Sequence, residues 1–207
     1  MQNRNYQREL DEITAKISRS ETLPRLLLHA CCAPCSSYCL EYLTRFFDIT
    51  VLYYNPNITD TEEYNKRAAE LVRLTEEMPF ENPVRVIIAQ HDPESFPSAA
   101  KGLESAREGG ERCFKCYRLR LEYAAKYAAC DPNDRGFDYF CTTLSISPLK
   151  NAQKLNAIGE ELSEIYKVKW LPSDFKKRGG YQRSIELSKQ YNLYRQNFCG
   201  CEFSKRT

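Results

Sequence analysis

The sequence predicts an α/β protein, a parallel sheet with helices on both faces, from three observations. Short apolar runs alternate with longer stretches of helical periodicity along nearly the whole chain. The first of them, Leu26-Leu27-Leu28-His29-Ala30, is a short apolar run consistent with a buried strand. Several end in polar or cysteine-bearing loops, as strands do at the ligand-binding rim of a parallel sheet.

The elements follow in order. Tyr6, Leu10, Ile13 and Ile17 recur at helical steps, so residues 4–18 form an amphipathic helix within an N-terminal segment 1–20. Leu26-Leu27-Leu28-His29-Ala30 is a buried strand that runs into Cys31-Cys32. A helix is expected over 36–46 and a second strand over 49–54, ending at Asn55-Pro56-Asn57. Tyr64, Ala68, Leu71, Thr75 and Met78 mark a long helix, and 84–88 a third strand. A helix follows Asp92-Pro93 and breaks before Gly109-Gly110; another spans 112–129. Residues 137–142 are a fourth strand. Leu155, Ile158, Leu162 and Ile165 place a helix over 151–166. A short strand at 168–171 and a helix from Gly179-Gly180 to just before Asn192 complete the chain. No linker, repeat or low-complexity tract interrupts it, so 1–207 is expected to be one domain.

Composition narrows the function classes. Of 207 residues, 42% are hydrophobic and 28% charged, which argues against disorder, and no apolar run suffices for a bilayer span. The charged N-terminus lacks the apolar stretch of a secretory signal, so a cytoplasmic location is expected. There thiols stay reduced, and the ten cysteines are not a disulfide framework. The net charge of +2 conceals an asymmetry: residues 165–207 hold ten Lys/Arg against three acids, +7 against −5 elsewhere. With Tyr166, Trp170, Phe175, Tyr181, Tyr191, Tyr194 and Phe198 interleaved, this quarter suits RNA, and equally a solvated basic face with its aromatics turned inward.

The cysteines fall into three groups at ligand-like spacing: Cys31-Cys32-Ala-Pro-Cys35, Cys113-Phe-Lys-Cys116 and Cys199-Gly-Cys201. Cys39, Cys130 and Cys141 read as solitary core residues. Thiolates are soft ligands that select zinc or iron–sulfur clusters. Cys113 and Cys116, three apart at a helix start, present both sulfurs to one side, and Gly109-Gly110 allows close backbone approach. Cys32 and Cys35 also have the spacing of a thioredoxin-like redox pair, a reading that leaves the other groups idle. Cys199-Gly-Cys201 is either a metal clip or a small, strained and readily reduced disulfide.

Together LLLHACCAPCSSYCL, YYNPNI, EGGERCFKCYRLRLEYAA, TTLSISPLKN and FCGCEFS resemble epoxyqueuosine reductases of the QueH type, over residues 26–204. The resemblance implies an adenine-nucleotide alpha-hydrolase-like (Rossmann-like) fold. It implies an oxidoreductase for the last step of queuosine biosynthesis, in which epoxyqueuosine at the tRNA wobble position loses its epoxide oxygen. It implies a 4Fe–4S cluster on Cys31, Cys32, Cys113 and Cys116 and a redox-active disulfide pair, Cys199 and Cys201. A competing assignment within the family adds a mononuclear iron beside the cluster. Cys35 departs from relatives with an acidic residue there; it either replaces a carboxylate on that second metal or the metal is absent.

Removing the oxygen takes two electrons, from an external donor, and two protons; Tyr117, His29, Tyr53 and Asp92 are candidate proton donors. His29 has an equal claim as a group that orients its neighbours, and His91 is expected in a surface loop. Arg112, Lys115, Arg118 and Arg120, or Lys176-Lys177-Arg178, are expected to meet tRNA phosphates. Two alternatives belong to other classes. A zinc-stabilised RNA-binding module without catalysis predicts a colourless zinc protein. An ATP-using tRNA-modification enzyme lacks its phosphate loop here, because Cys31-Cys32-Ala-Pro follows the first strand instead.

Overall fold

In the computed structural model, which describes residues 4–130 and 136–204, five parallel strands form one sheet in the order β3-β2-β1-β4-β5. The strands are β1 (Arg25–Ala30), β2 (Asp48–Tyr53), β3 (Val84–Ile88), β4 (Tyr139–Thr142) and β5 (Lys169–Trp170). The helices are α1 (Tyr6–Ile17), α2 (Ala33–Leu43), α3 (Thr61–Glu77), α4 (Ser95–Ala100), α5 (Glu111–Ala129), α6 (Ala152–Tyr166) and α7 (Gly180–Gln190). The chain leaves β1 in one direction to β2 and β3, then returns to its other side for β4 and β5. The strand order therefore reverses between β1 and β4, and a crevice opens beyond their carboxyl ends.

Side-chain alternation along β1 divides the core. Leu26, Leu28 and Ala30 join the layer containing Leu10, Leu40, Leu43 and Leu71. Leu27 turns the other way, toward Leu121, Ala124, Ala125, Leu155 and Leu162 of α5 and α6. His29 has the parity of Leu27 and so faces α5, fully buried.

Most boundaries shift by one or two residues from the sequence expectation, and three of the differences have a visible cause. Helix α2 begins at Ala33, because Pro34 fits a first helical turn and Cys32 serves as N-cap. Strand β4 begins at Tyr139, after Asp138 has turned its carboxylate to the Arg25 amide at 2.8 Å. After Asp92-Pro93 only the six residues of α4 are helical. Cys39 and Cys141 are buried as expected, but Cys130 is exposed: it lies at the C-cap of α5, past the last buried alanine of that helix.

Candidate active site

The first cysteine group stands in the crevice. Cys31 ends β1 and its amide donates to Thr143 Oγ1 at 3.3 Å, in the turn that follows β4. Cys32 caps α2 and Cys35 lies in its first turn. The sulfurs of Cys31, Cys32 and Cys35 lie within 4.8 Å of one another, and those of Cys31 and Cys32 are 3.7 Å apart. The three share negative charge unequally. Hydrogen bonds from Cys32 and Cys35, aided by Arg120, pull Cys31 well below the ordinary thiol range. Contact with Cys31, together with burial, pushes Cys32 and Cys35 up.

The other two groups converge on the same place. A cleft of about 350 Å³ is lined by Cys31, Cys32, Cys35 and Cys199. A small recess beside it is lined by Cys113, Cys116, Cys199 and Cys201. Arg120 and Lys150 form part of both walls. Cys116 and Cys201 pack together in a small core with Phe96 and Ala100. Burial pushes the Cys116 thiol up to about 12. The Gly109 amide donates to Cys113 Sγ at 3.2 Å, so the glycine pair brings backbone onto a sulfur. All ten cysteines are free thiols, Cys199 and Cys201 included.

Two buried cations tie the groups together. Arg120 donates to Asn55 Oδ1, approaches His29 Nε2 at 3.4 Å and lies 4.0 Å from Cys116 Sγ. Lys150 Nζ donates to Cys199 Sγ at 3.2 Å, with Glu108 farther away at 3.9 Å. Burial opposes the Lys150 charge, but Cys199 and Tyr117 outweigh it and raise its pKa. The positive charge here faces sulfur more closely than carboxylate.

The C-terminal pair is moored through its backbone. Arg67 and Asn57 both donate to the Cys199 carbonyl at 3.3 Å. Gly200 adopts φ +111°, and a Cβ there would come 2.7 Å from Ile58 Cγ1, so the turn needs glycine. Ser204 Oγ accepts from the Cys199 amide at 3.1 Å and donates to the Cys201 carbonyl at 2.7 Å.

The remaining expected residues divide. Tyr117 lines the recess. His29 is held neutral by burial and by Arg120, its pKa lowered to about 3, and its ring nitrogens meet Thr142 Oγ1 and the Tyr54 carbonyl. Both ring nitrogens are therefore taken up by the walls of the crevice. Tyr53 points away from the cleft and donates to the Tyr64 carbonyl. Asp92 is occupied by Tyr54 and Ser95. His91 is less loose than expected, stacked on Tyr64 and bonded to the Ile58 carbonyl.

Of the cations around Cys113, Arg112 is buried and donates to the carbonyls of Leu103, Glu104 and Ala106. Arg120 is buried and Arg118 is paired with Glu161; Lys115 is exposed. Lys176, Lys177 and Arg178 instead line a groove of about 550 Å³ with Arg4, Arg8 and Lys150. Asp11 and Asp174 also lie in that groove, paired with Arg178 and Lys176. Lys150 joins it to the cysteine cleft. Lys150 and Arg67 were not singled out in the sequence. The signal for Lys150 was its place in TTLSISPLKN, and Arg67 had none beyond helix periodicity.

Comparison with known proteins identifies the family. A family profile described as epoxyqueuosine reductase QueH matches residues 26–207. The epoxyqueuosine reductase QueH of Staphylococcus epidermidis is 44% identical over 206 residues, covering 97% of this chain and 84% of that protein. Its namesake from Streptococcus pyogenes is 41% identical over 204 residues, covering 98% and 78%. That of Thermotoga maritima is 35% identical over 185 residues, covering 86% and 89%. Similarity of this extent, through the residues that build the crevice, places the chain in the epoxyqueuosine reductase QueH family.

Proposed function

We propose that this chain reduces epoxyqueuosine in tRNA to queuosine, and that its three cysteine groups carry the redox chemistry. The observation that supports this most directly is their convergence, from β1–α2, α5 and the C-terminal segment, around Arg120 and Lys150. Two buried cations facing thiols demand an anionic partner, and thiolates bound to metal satisfy that demand.

The donor set fits iron and sulfide. Cys31 and Cys32, with Cys113 and Cys116 from the adjoining recess, are the thiolates that would hold a 4Fe–4S cluster. The Cys31–Cys32–Cys35 trio also suits a single ion: at a metal–sulfur length of about 2.3 Å, a tetrahedral edge is about 3.8 Å. The 3.7 Å separation of Cys31 and Cys32 is close to that edge, so the trio as placed matches a single ion, and ligating two irons of a cluster requires these two sulfurs to spread apart. Iron bound here supplies single-electron transfer and a Lewis acid for the epoxide oxygen.

The chain's own residues supply the rest. Cys199 and Cys201 as a dithiol give up two electrons and two protons on closing a disulfide. Removal of the epoxide oxygen as water consumes the same two electrons and two protons. An external donor then reopens the pair. Lys150 holds Cys199 at the cleft wall, and Arg67 and Asn57 fix its backbone. The basic groove running from Lys150 past Lys176-Lys177-Arg178 gives the RNA backbone a path to the cleft.

The test is to purify the chain without oxygen, measure iron and acid-labile sulfide, and supply reductant with epoxyqueuosine-containing tRNA. Queuosine is expected among the digested nucleosides. Iron-replete protein that leaves the epoxide intact sinks the proposal, and stoichiometric zinc without iron favours a non-catalytic module. Cys35→Ser is expected to lose iron in excess of sulfide while keeping the cluster.

A further inference from the structure

Six large apolar side chains stand exposed among the described residues, and two of them line the cysteine cleft: Leu149, 60% exposed, and Tyr181, 37% exposed. They come from different parts of the chain. Leu149 lies in the loop before α6, and Tyr181 in the first turn of α7. Scattered exposed apolar residues need no explanation, but two that meet at one cleft with reactive thiols mark a ligand surface.

Gln196 adds a second observation. It lines the same cleft, its side chain reaches Cys32, and its Oε1 is buried without a hydrogen-bond partner. An acceptor left in that condition is costly, and a ligand with an N–H removes the cost. Around these residues the cleft carries Arg67, Arg120, Lys150 and Arg195 against one acid, Glu108. Apolar faces, one unsatisfied acceptor and a positive surround describe a flat heteroaromatic ring with hydrogen-bond donors on a polyanionic backbone. At about 350 Å³ the cleft lies near the lower end of small-ligand sites.

We infer that the cleft seats one nucleobase, flipped out of its strand, with Leu149 and Tyr181 against the ring and Gln196 Oε1 accepting from its edge. This rests on the reductase reading and adds the residues that hold the base. Reading a splayed base by stacking is how single-stranded loops are recognised, and every base offers a face to stack on. Leu149 and Tyr181 make no contact with the cysteine sulfurs in this account. They set affinity for the base and leave the redox groups in place.

The experiment compares two RNA probes by fluorescence anisotropy with the full, metal-loaded chain. One is an anticodon stem–loop with guanine at the wobble position, and the other is the same stem–loop abasic there. The intact probe is expected to bind about tenfold or more tightly. Tyr181→Ala is expected to abolish that preference, Tyr181→Phe to keep it and Leu149→Ala to reduce it. The salt dependence of binding should be the same in all variants, because no phosphate contact is lost. Indifference of the native chain to the missing base overturns the inference, as does a Tyr181→Ala chain with full preference and native metal content. A base preference without conversion of epoxyqueuosine-tRNA instead overturns the reductase reading and leaves the base seat standing.

Discussion

Arg120 and Lys150 are both charged and both shut away from water, with relative exposures of 1% and 9%. Their partners are mainly sulfur, an amide oxygen and an imidazole, so each owes its charge to the thiols around it. Replacing Lys150 with Met keeps most of its volume and removes the charge at Cys199. Turnover of the substrate tRNA is expected to fall at least about tenfold, with iron content unchanged; parallel kinetic and iron assays check both. The cysteines were legible because thiols at ligand spacing have few structural uses. The cations were not, because thirty Lys and Arg look alike in a sequence until burial distinguishes them. Arg112 shows the opposite error: beside a cysteine motif it suggested a phosphate contact, but it is buried and its Nη1 is turned to three backbone carbonyls. Cys130 misled for a similar reason: the buried alanine stripe of α5 ends at Ala128, and Ala129 and Cys130 beyond it are exposed.

At the scale of the element, α3 carries the C-terminal cysteine segment on one face. Glu63, Lys66, Arg67, Glu70 and Arg73 fall at helical steps. Arg73 donates to the carbonyls of Tyr191 and Asn192 at 3.1 and 3.3 Å. Glu70 accepts from the Tyr194 amide at 2.6 Å, and Glu63 from the Tyr194 hydroxyl at 3.0 Å. Lys66 and Arg67 lie over the rings of Tyr194 and Phe198. Arg73, with the Tyr194 amide, holds the Glu70 carboxyl below its ordinary value of 4.5. A lowered carboxyl pKa means that the unfolded chain binds more protons at low pH, so this stability is present above pH 4.5 and is lost as acid protonates Glu70. Glu70→Gln is expected to cost about 2 kcal/mol at pH 7. Urea titrations of both proteins should show the gap closing as the pH is lowered below 4.5. The periodicity of α3 revealed the helix and its buried stripe of Tyr64, Ala68 and Leu71. Its polar face remained unread, because the partner is an irregular segment more than a hundred residues away that leaves no periodic signal.

Across the whole molecule, the sheet order was not spelled out by the strands, but its consequence was. An alternation of strands and helices implies a crevice at the carboxyl ends, and the motifs that end β1, β2 and β4 meet there. The asymmetry of charge was also legible, and the structure refines where it acts. Part of the basic quarter, Lys176-Lys177-Arg178, meets Arg4 and Arg8 of the N-terminal segment across one groove. RNA binding is therefore expected to weaken steeply with salt, and Lys177→Ala or Arg178→Ala to reduce the slope of log affinity against log salt by about one each. Filter binding at several salt concentrations measures this directly. No helix among the described residues is long and apolar enough to cross a membrane.

The mooring of the C-terminal pair has a mechanical consequence. Arg67 and Asn57 grip the carbonyl oxygen of Cys199, an atom that takes no part in bonding changes at the sulfur. The fastener and the moving part are thus different atoms of one residue. In the redox cycle we propose, the sulfur changes its bonding while the peptide beneath it stays latched, so each turnover begins from the same starting position.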